Sequence, residues 1–256
     1  MNNHRAAPLA APLTTNLEGI WDSLRERGYA VADEQSLGLP ENFREAFGLA
    51  YFNNGTLRRD EGDWPTDRER ARDVIFYKWL EGTLELYEFD TITITDRASI
   101  AGKREHARVL LTRDQLARQL VQALLMMVPP YRRQGEGTFG VNLFRTYTNV
   151  VTSPHHDHQQ FIIIYVVNRI GEGAETYLYH PEDIREDGKI TGNPILRQGL
   201  DPGQLIIFED EMYKHGATPL HPTPGGMARR DAVVCTVDYH DTYLSSSPVL
   251  TNWVSD

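Results

Sequence analysis

The densest group of metal-capable side chains in the sequence is His155-His156-Asp157-His158, directly after the turn-like Thr152-Ser153-Pro154 and directly before an apolar run over 161–167. In an extended segment, residues two apart point to the same side, so His155 and Asp157 can grip one ion while His156 faces away. A second imidazole would complete a face of two histidines and one carboxylate, which leaves three coordination positions open and suits iron(II) oxygen chemistry. The best candidate is His215, in Tyr213-Lys214-His215-Gly216-Ala217-Thr218, just after an apolar strand predicted over 205–208 and the acidic turn Glu209-Asp210-Glu211. The other histidines fit less well: His180 and His221 each precede a proline, His240 follows the last predicted strand, and His4 and His106 lie outside the β-rich region. Two rival readings compete with the triad. One is a surface histidine hydrogen-bonded to an aspartate, and the other is zinc held by His155, His156 and His158, since imidazole suits both metals. Strand alternation makes three ligands so close in sequence awkward.

An open iron face of this kind accommodates the keto-acid end of 2-oxoglutarate, whose far carboxylate then needs a fixed cation. The planar fork of arginine binds a carboxylate in bidentate fashion. Arg230 begins a strand over 232–237, and its parity puts it on the face of Ala232, Val234 and Thr236, small side chains that leave room for a cosubstrate. Arg229 has the opposite parity and is expected in solvent, although a one-residue bulge would exchange the two. On the strand before the metal motif, Arg145 could hold the carboxylate of a substrate or simply be exposed. Tyr147, two residues on, could hydrogen-bond the cosubstrate or pack. Gln159 and Gln160 have no assigned role.

These side chains need a scaffold, and the spacing of apolar residues outlines one. Leu17, Ile20, Trp21 and Leu24 recur at helical spacing over 16–27, and Gly28 supplies a stop. An edge strand is expected around Tyr29 and Val31, then a second helix over 41–51. The stretch 53–108 is polar and weakly periodic, with an apolar patch at 74–80 and alternating Thr/Ile at 91–95. Within it Arg68, Arg70 and Arg72 are interleaved with Asp67, Glu69 and Asp73, which reads as a solvated helix surface. Thr112 and Gln115 form a capping box before Leu116, Leu120, Leu124 and Met127, which share one helical face, and Pro129-Pro130 end that helix. Beyond it the pattern changes to strands over 139–148, 161–167, 175–179, 205–208 and 232–239. Helices first and many strands later, without βαβ alternation, predict an α+β chain. Its core would be a double-stranded β-helix, or jelly roll, with N-terminal helices packed on the sheet. We expect one domain over 1–256: a frayed tail at 1–14, a helix-rich part over about 15–130, and the metal-binding β core over about 138–241.

Composition narrows the partners. The formal net charge of -10 argues against nonspecific nucleic-acid binding, which relies on Lys and Arg neutralising phosphates. No run approaches the roughly 18 to 20 apolar residues of a bilayer crossing. The start of the chain lacks the basic and apolar regions of a signal peptide. Cys235 is the single cysteine, which excludes an intrachain disulfide and a thiolate zinc site. The expectation is a soluble, cytoplasmic protein with a small-molecule partner, no nucleic acid and no membrane; the oligomeric state is not legible.

In order along the chain stand His155-x-Asp157, Val167-Asn168-Arg169, Gly173-Ala174-Glu175-Thr176, His215-Gly216-Ala217-Thr218-Pro219 and Arg230-Asp231-Ala232-Val233. Over roughly 140–240 this succession resembles the 2-oxoglutarate/iron(II) dioxygenase family of free amino acid hydroxylases that includes bacterial isoleucine 4-hydroxylase. The resemblance implies a distorted double-stranded β-helix and iron(II) held by His155, Asp157 and His215. It further implies 2-oxoglutarate and O2 as cosubstrates, with ascorbate as reductant in vitro, and hydroxylation of a free L-amino acid with release of succinate and CO2. The substrates of such relatives are aliphatic, such as Ile, Leu or Met, or polar, such as Lys or citrulline, often for peptide natural products. Related halogenases replace the carboxylate at position 157 by a small residue, so Asp157 points to hydroxylation. Relatives often carry Gly where this chain has His158. Two alternatives stand beside this reading: a cupin-like metal-dependent dioxygenase or isomerase that does not use 2-oxoglutarate, and a non-catalytic jelly-roll binding module.

Overall fold

The computed structural model of the chain describes residues 11–59, 68–88, 94–95, 103–104, 114–147, 152–237 and 251–252. Its helices are α1 (Leu17–Arg27), α2 (Phe43–Tyr51) and α3 (Gln115–Met126). With strands numbered along the chain, the main sheet runs β1 (Leu13–Thr14), β2 (Tyr29–Asp33), β13 (Gln204–Glu209), β9 (Phe161–Ile170), β16 (Arg229–Val237), β7 (Glu136–Thr146), β3 (Arg68–Leu80), β4 (Thr83–Glu88) and β17 (Thr251–Asn252) in spatial order. Every pairing in it is antiparallel except β1 with β2. A second sheet has the order β12 (Leu196–Gln198), β11 (Thr176–Tyr179), β14 (Lys214–Ala217), β8 (Thr152–His155). Two short ribbons pair β10 (Glu172–Gly173) with β15 (Leu220–His221) and β5 (Ile94–Thr95) with β6 (Lys103–Arg104).

The helix boundaries follow local chemistry. The Asn16 side chain accepts a hydrogen bond from the Gly19 N–H at 2.8 Å, and Gly28, at φ 71°, closes α1 in the left-handed conformation that glycine adopts without penalty. Asp114 caps α3 by accepting from the Leu116 N–H at 2.8 Å. The expected Thr112/Gln115 box is therefore replaced by a shorter-range cap, and Thr112 itself lies outside the described residues.

Strand alternation sorts the apolar residues into two cores. On β9, Phe161, Ile163, Tyr165 and Val167 join helices α1, α2 and α3, whereas Ile162, Ile164 and Val166 join Leu178 of β11 and Leu196 of β12. On β13, Leu205 and Ile207 go to the helix side, and Ile206 and Phe208 to the second sheet. The central strands are thus covered on both faces, which is why they read as unbroken apolar runs. The sheet-rich α+β jelly roll expected from the sequence is what forms. Among the described residues no helix is long and apolar enough to cross a membrane.

Three expectations change. The strand around Tyr29 is flanked by β1 as well as β13, so it is not the sheet's edge. The weakly periodic stretch supplies the long strands β3 and β4, while 91–93 lie outside the described residues. The segment around Arg68, Arg70 and Arg72 is part of β3 and not a helix, and Arg70 is buried. Its alternating charges have period two, so a strand separates what a helix would mix.

Arg145 on β7 lies opposite Asp231 on β16, on the helix side of the sheet. Its Nε and Nη2 donate to the two carboxylate oxygens of Asp231 at 2.7 and 3.0 Å, and Nη2 also donates to the Phe52 carbonyl at 2.7 Å. Both side chains are almost fully buried, at 9% and 4% exposure. Removing one partner strands the other charge, so Arg145→Ala is expected to lower stability by roughly 3–5 kcal/mol in urea unfolding while iron affinity is retained.

Candidate metal centre

The β8–β14 pairing sets His155 directly against His215. His215 also pairs with Leu178 of the inter-sheet core, so both imidazoles face the main sheet, with the His215 ring 5.0 Å from that of Phe208. Asp157 lies just beyond β8, in irregular backbone, so it reaches the histidines through a turn and not through strict strand alternation. Nε2 of His155 is 3.4 Å from Asp157 Oδ1, and Nε2 of His215 is 3.7 Å from Asp157 Oδ2. The two rings are 4.5 Å apart. One donor atom from each residue falls within a 4.8 Å cluster, the group of this kind found among the described residues.

The donor set fits a divalent ion. With metal–ligand bonds of roughly 2.1 Å, adjacent ligands stand roughly 3 Å apart, close to what is seen before any ion draws them together. His155 Nδ1 meets the Ser153 carbonyl at 2.8 Å, which places the proton on Nδ1 and leaves the Nε2 lone pair for the metal. Burial works against ionisation of Asp157, but His155, His215 and Arg72 outweigh it and hold the carboxyl down at about 2. For His155 burial opposes the charged form, and the adjacent Asp157 more than compensates, raising its pKa. His156 is turned away, its Nδ1 2.5 Å from the backbone carbonyl of Asp210, so the alternative trio of His155, His156 and His158 is not gathered. His158 is exposed at φ 58°, the region where glycine carries no Cβ penalty.

Asp210, which sequence reasoning noted only as part of an acidic turn, lies at the centre of this region. Its side chain is fully buried; Oδ1 is 3.3 Å from His215 Nδ1, and Oδ2 accepts from the Gln159 N–H at 3.0 Å. Gln159 in turn donates through Nε2 to the Asp157 carbonyl at 3.1 Å. The sequence signal that could have exposed this residue is its place one step beyond an apolar strand and five before His215.

The remaining candidates divide between the faces of the main sheet. Arg230 falls on the inner face, level with Thr146 of β7 and Arg169 of β9, and is 7% exposed. Its Nε and Nη2 have no hydrogen-bond partner among the described residues. Burial, with Arg169 nearby, pushes its pKa down to about 10. Arg229 takes the opposite face, with Nε 3.7 Å from Asp231. The structure does not bring Arg145 to the triad: it is on the helix face and engaged by Asp231. Tyr147 stands one residue past β7, with Arg59 5.7 Å from its ring centroid, and interacts with Arg145. A cavity of about 760 Å³ opens on that helix face beside Arg44, Phe52, Arg145 and Arg229.

The described arginines of β3 join the inner face. The register aligns Arg68 with Thr146 and Arg230, Arg70 with Phe144 and Ala232, and Arg72 with Asn142 and Val234. Glu69, Ala71 and Asp73 are thereby directed to the other side.

The model of the 2OG-Fe dioxygenase family matches residues 103–236, just over half of the chain and the part that contains the triad and Arg230. The chain belongs to this family. As a 2OG-Fe dioxygenase it uses iron(II), 2-oxoglutarate and O2, and His155, Asp157 and His215 can form the iron site. The dioxygenase fold is similar to that of a bsmA homolog from Methylobium petroleophilum PM1, with a TM-score of 0.70 at 18% identity over 92% of this chain and 98% of that one. TqaL, an Fe(II)/α-ketoglutarate-dependent dioxygenase, superposes with a TM-score of 0.68 at 12% identity, covering 92% and 93% of the two chains. IDO from Bacillus thuringiensis gives 0.61 at 14% identity, covering 88% and 99%. At these identities the likeness is one of fold. No curated protein sequence matches the dioxygenase.

The depressed carboxyl has a consequence for the metal-free protein. Its folded pKa of about 2 lies below the ordinary 3.8, so its charged form stabilises the fold above the ordinary value, and that contribution fades as the pH falls toward 2. Asp157→Asn should therefore lose less stability than the wild type between about pH 4 and pH 2 in metal-free acid titrations followed by circular dichroism.

Proposed function

We propose that this oxygenase hydroxylates an unactivated carbon of a free L-amino acid, aliphatic such as Ile, Leu or Met or polar such as Lys or citrulline, converting 2-oxoglutarate to succinate and CO2. The observation that carries the reading is the alignment of Arg68, Arg70 and Arg72 with Arg230 on the sheet face turned toward the triad. Two small carboxylates must enter together, cosubstrate and amino acid, and a face of guanidinium groups is suited to both.

When bound, the iron with its cosubstrates supplies the oxidising equivalent that inserts oxygen into a C–H bond. The protein's part is to hold and orient. Arg230 receives the distal carboxylate of 2-oxoglutarate: a buried guanidinium whose Nε and Nη2 have no hydrogen-bond partner among the described residues is costly, and a carboxylate removes that cost while gaining a bidentate contact. Arg72 lies four residues' depth from the Arg230 row, on the row of Val234, and its charge is felt by Asp157. It is therefore placed to orient the amino acid's carboxylate beside the metal. Arg70, buried between them, reinforces the field. The apolar wall of Ile162, Ile164 and Phe208 excludes water from the inner part of the site.

The test is iron(II), ascorbate, 2-oxoglutarate and a panel of free amino acids, with succinate and hydroxylated product scored together. A matched rise of both with at least one amino acid is expected, and succinate formation unaffected by every amino acid would overturn the reading. Arg230→Ala should raise the KM for 2-oxoglutarate by roughly 10- to 100-fold, as loss of a charged hydrogen bond implies. Arg72→Gln should instead raise the KM of the amino acid, and amino acid amides should turn over poorly with the wild type.

A further inference from the structure

We propose that Asp210 is the positioning residue of the metal centre, setting both the tautomer of His215 and the place of the loop that carries Asp157. The inference rests on the iron-site reading and deepens it. Asp210 Oδ1 stands 3.3 Å from His215 Nδ1, an ion-pair contact, and neither buried atom has a hydrogen-bond partner among the described residues, so each is the nearest group to satisfy the other. The ring proton is thereby drawn to Nδ1, and the lone pair of Nε2 is left facing Asp157, 3.7 Å away. This is the carboxylate–histidine–metal arrangement, in which the outer acid fixes ring orientation and raises ligand basicity.

The other oxygen acts on the other half of the site. Oδ2 accepts from the Gln159 N–H at 3.0 Å, and the Gln159 amide donates to the Asp157 carbonyl at 3.1 Å. The backbone carbonyl of Asp210 engages His156 Nδ1 at 2.5 Å, and its N–H donates to the Gln160 carbonyl at 3.4 Å. A single buried residue on the turn after β13 thus ties together the strand that bears His215 and the loop that bears Asp157. Those two elements are distant in sequence and must be brought to one ion.

The test compares full-length wild type, Asp210→Asn and Asp210→Ala. Iron(II) affinity is measured by anaerobic equilibrium dialysis, and the His215 tautomer by long-range nitrogen–proton NMR of the metal-free protein. Asp210→Ala should bind iron roughly 10- to 100-fold more weakly than wild type. Asparagine can still accept from His215 through its carbonyl but then turns a donor toward the Gln159 N–H, so Asp210→Asn should fall between the two. Wild-type protein should show His215 protonated on Nδ1, with that preference reduced in the asparagine variant. Iron affinity in a folded Asp210→Ala protein equal to that of the wild type would overturn the proposal. If the alanine variant does not fold, wild-type affinity and tautomer in Asp210→Asn would overturn it equally. Failure of the wild type to bind iron would instead remove the metal reading on which the proposal rests.

Discussion

Two strands from distant parts of the chain, β8 and β14, meet with His155 directly opposite His215, and the metal-binding geometry depends on that contact. Antiparallel pairing brings the two side chains to the same face, and the inter-sheet core beneath β11 turns that face toward the main sheet. Asp157 needs only the short turn beyond β8 to reach them. A one-residue slip of β14 would turn His215 to the opposite face, so the apolar pattern that fixes sheet register also fixes the ligand set.

The same parity governs charge. Along Arg68-Glu69-Arg70-Ala71-Arg72-Asp73 the arginines go to the site face and the acids and alanine to the helix face, because successive strand residues point opposite ways. A nearly neutral segment thereby becomes cationic on one side. The helix side has its own pairing, with Arg145 held by Asp231, so neighbouring strands send their arginines to opposite faces of one sheet.

Much of this was legible beforehand where a local pattern and its tertiary setting agree. Continuous apolar runs such as 161–167 mark the doubly covered strands, and the turn-flanked His155-x-Asp157 marks the candidate metal site. The arginines of β3 were missed because charge interleaving has the same appearance on a solvated helix, and only strand neighbours show that its period is two. From the sequence Arg145 reads as a substrate contact or an exposed strand arginine, because its partner Asp231 lies far along the chain and no local signal reveals that the two meet. Asp210 escaped for the opposite reason: in an acidic turn one buried carboxylate looks like its exposed neighbours until packing distinguishes it.

β9 carries an irregularity against β16, where the partner of Asp231 is Asn168 but the partner of Ala232 is Val166. Val167 is the extra residue. Before it, even-numbered side chains of β9 point to the second sheet; after it Arg169, odd-numbered, takes the side of Arg230. Without the irregularity, with Val167 taken into register, simple alternation would carry Arg169 to the opposite surface without altering any residue of the sequence. The electrostatics at the deep end of the site therefore depend on a backbone bulge as well as on residue identity, a route of divergence that comparison of residue types alone would overlook.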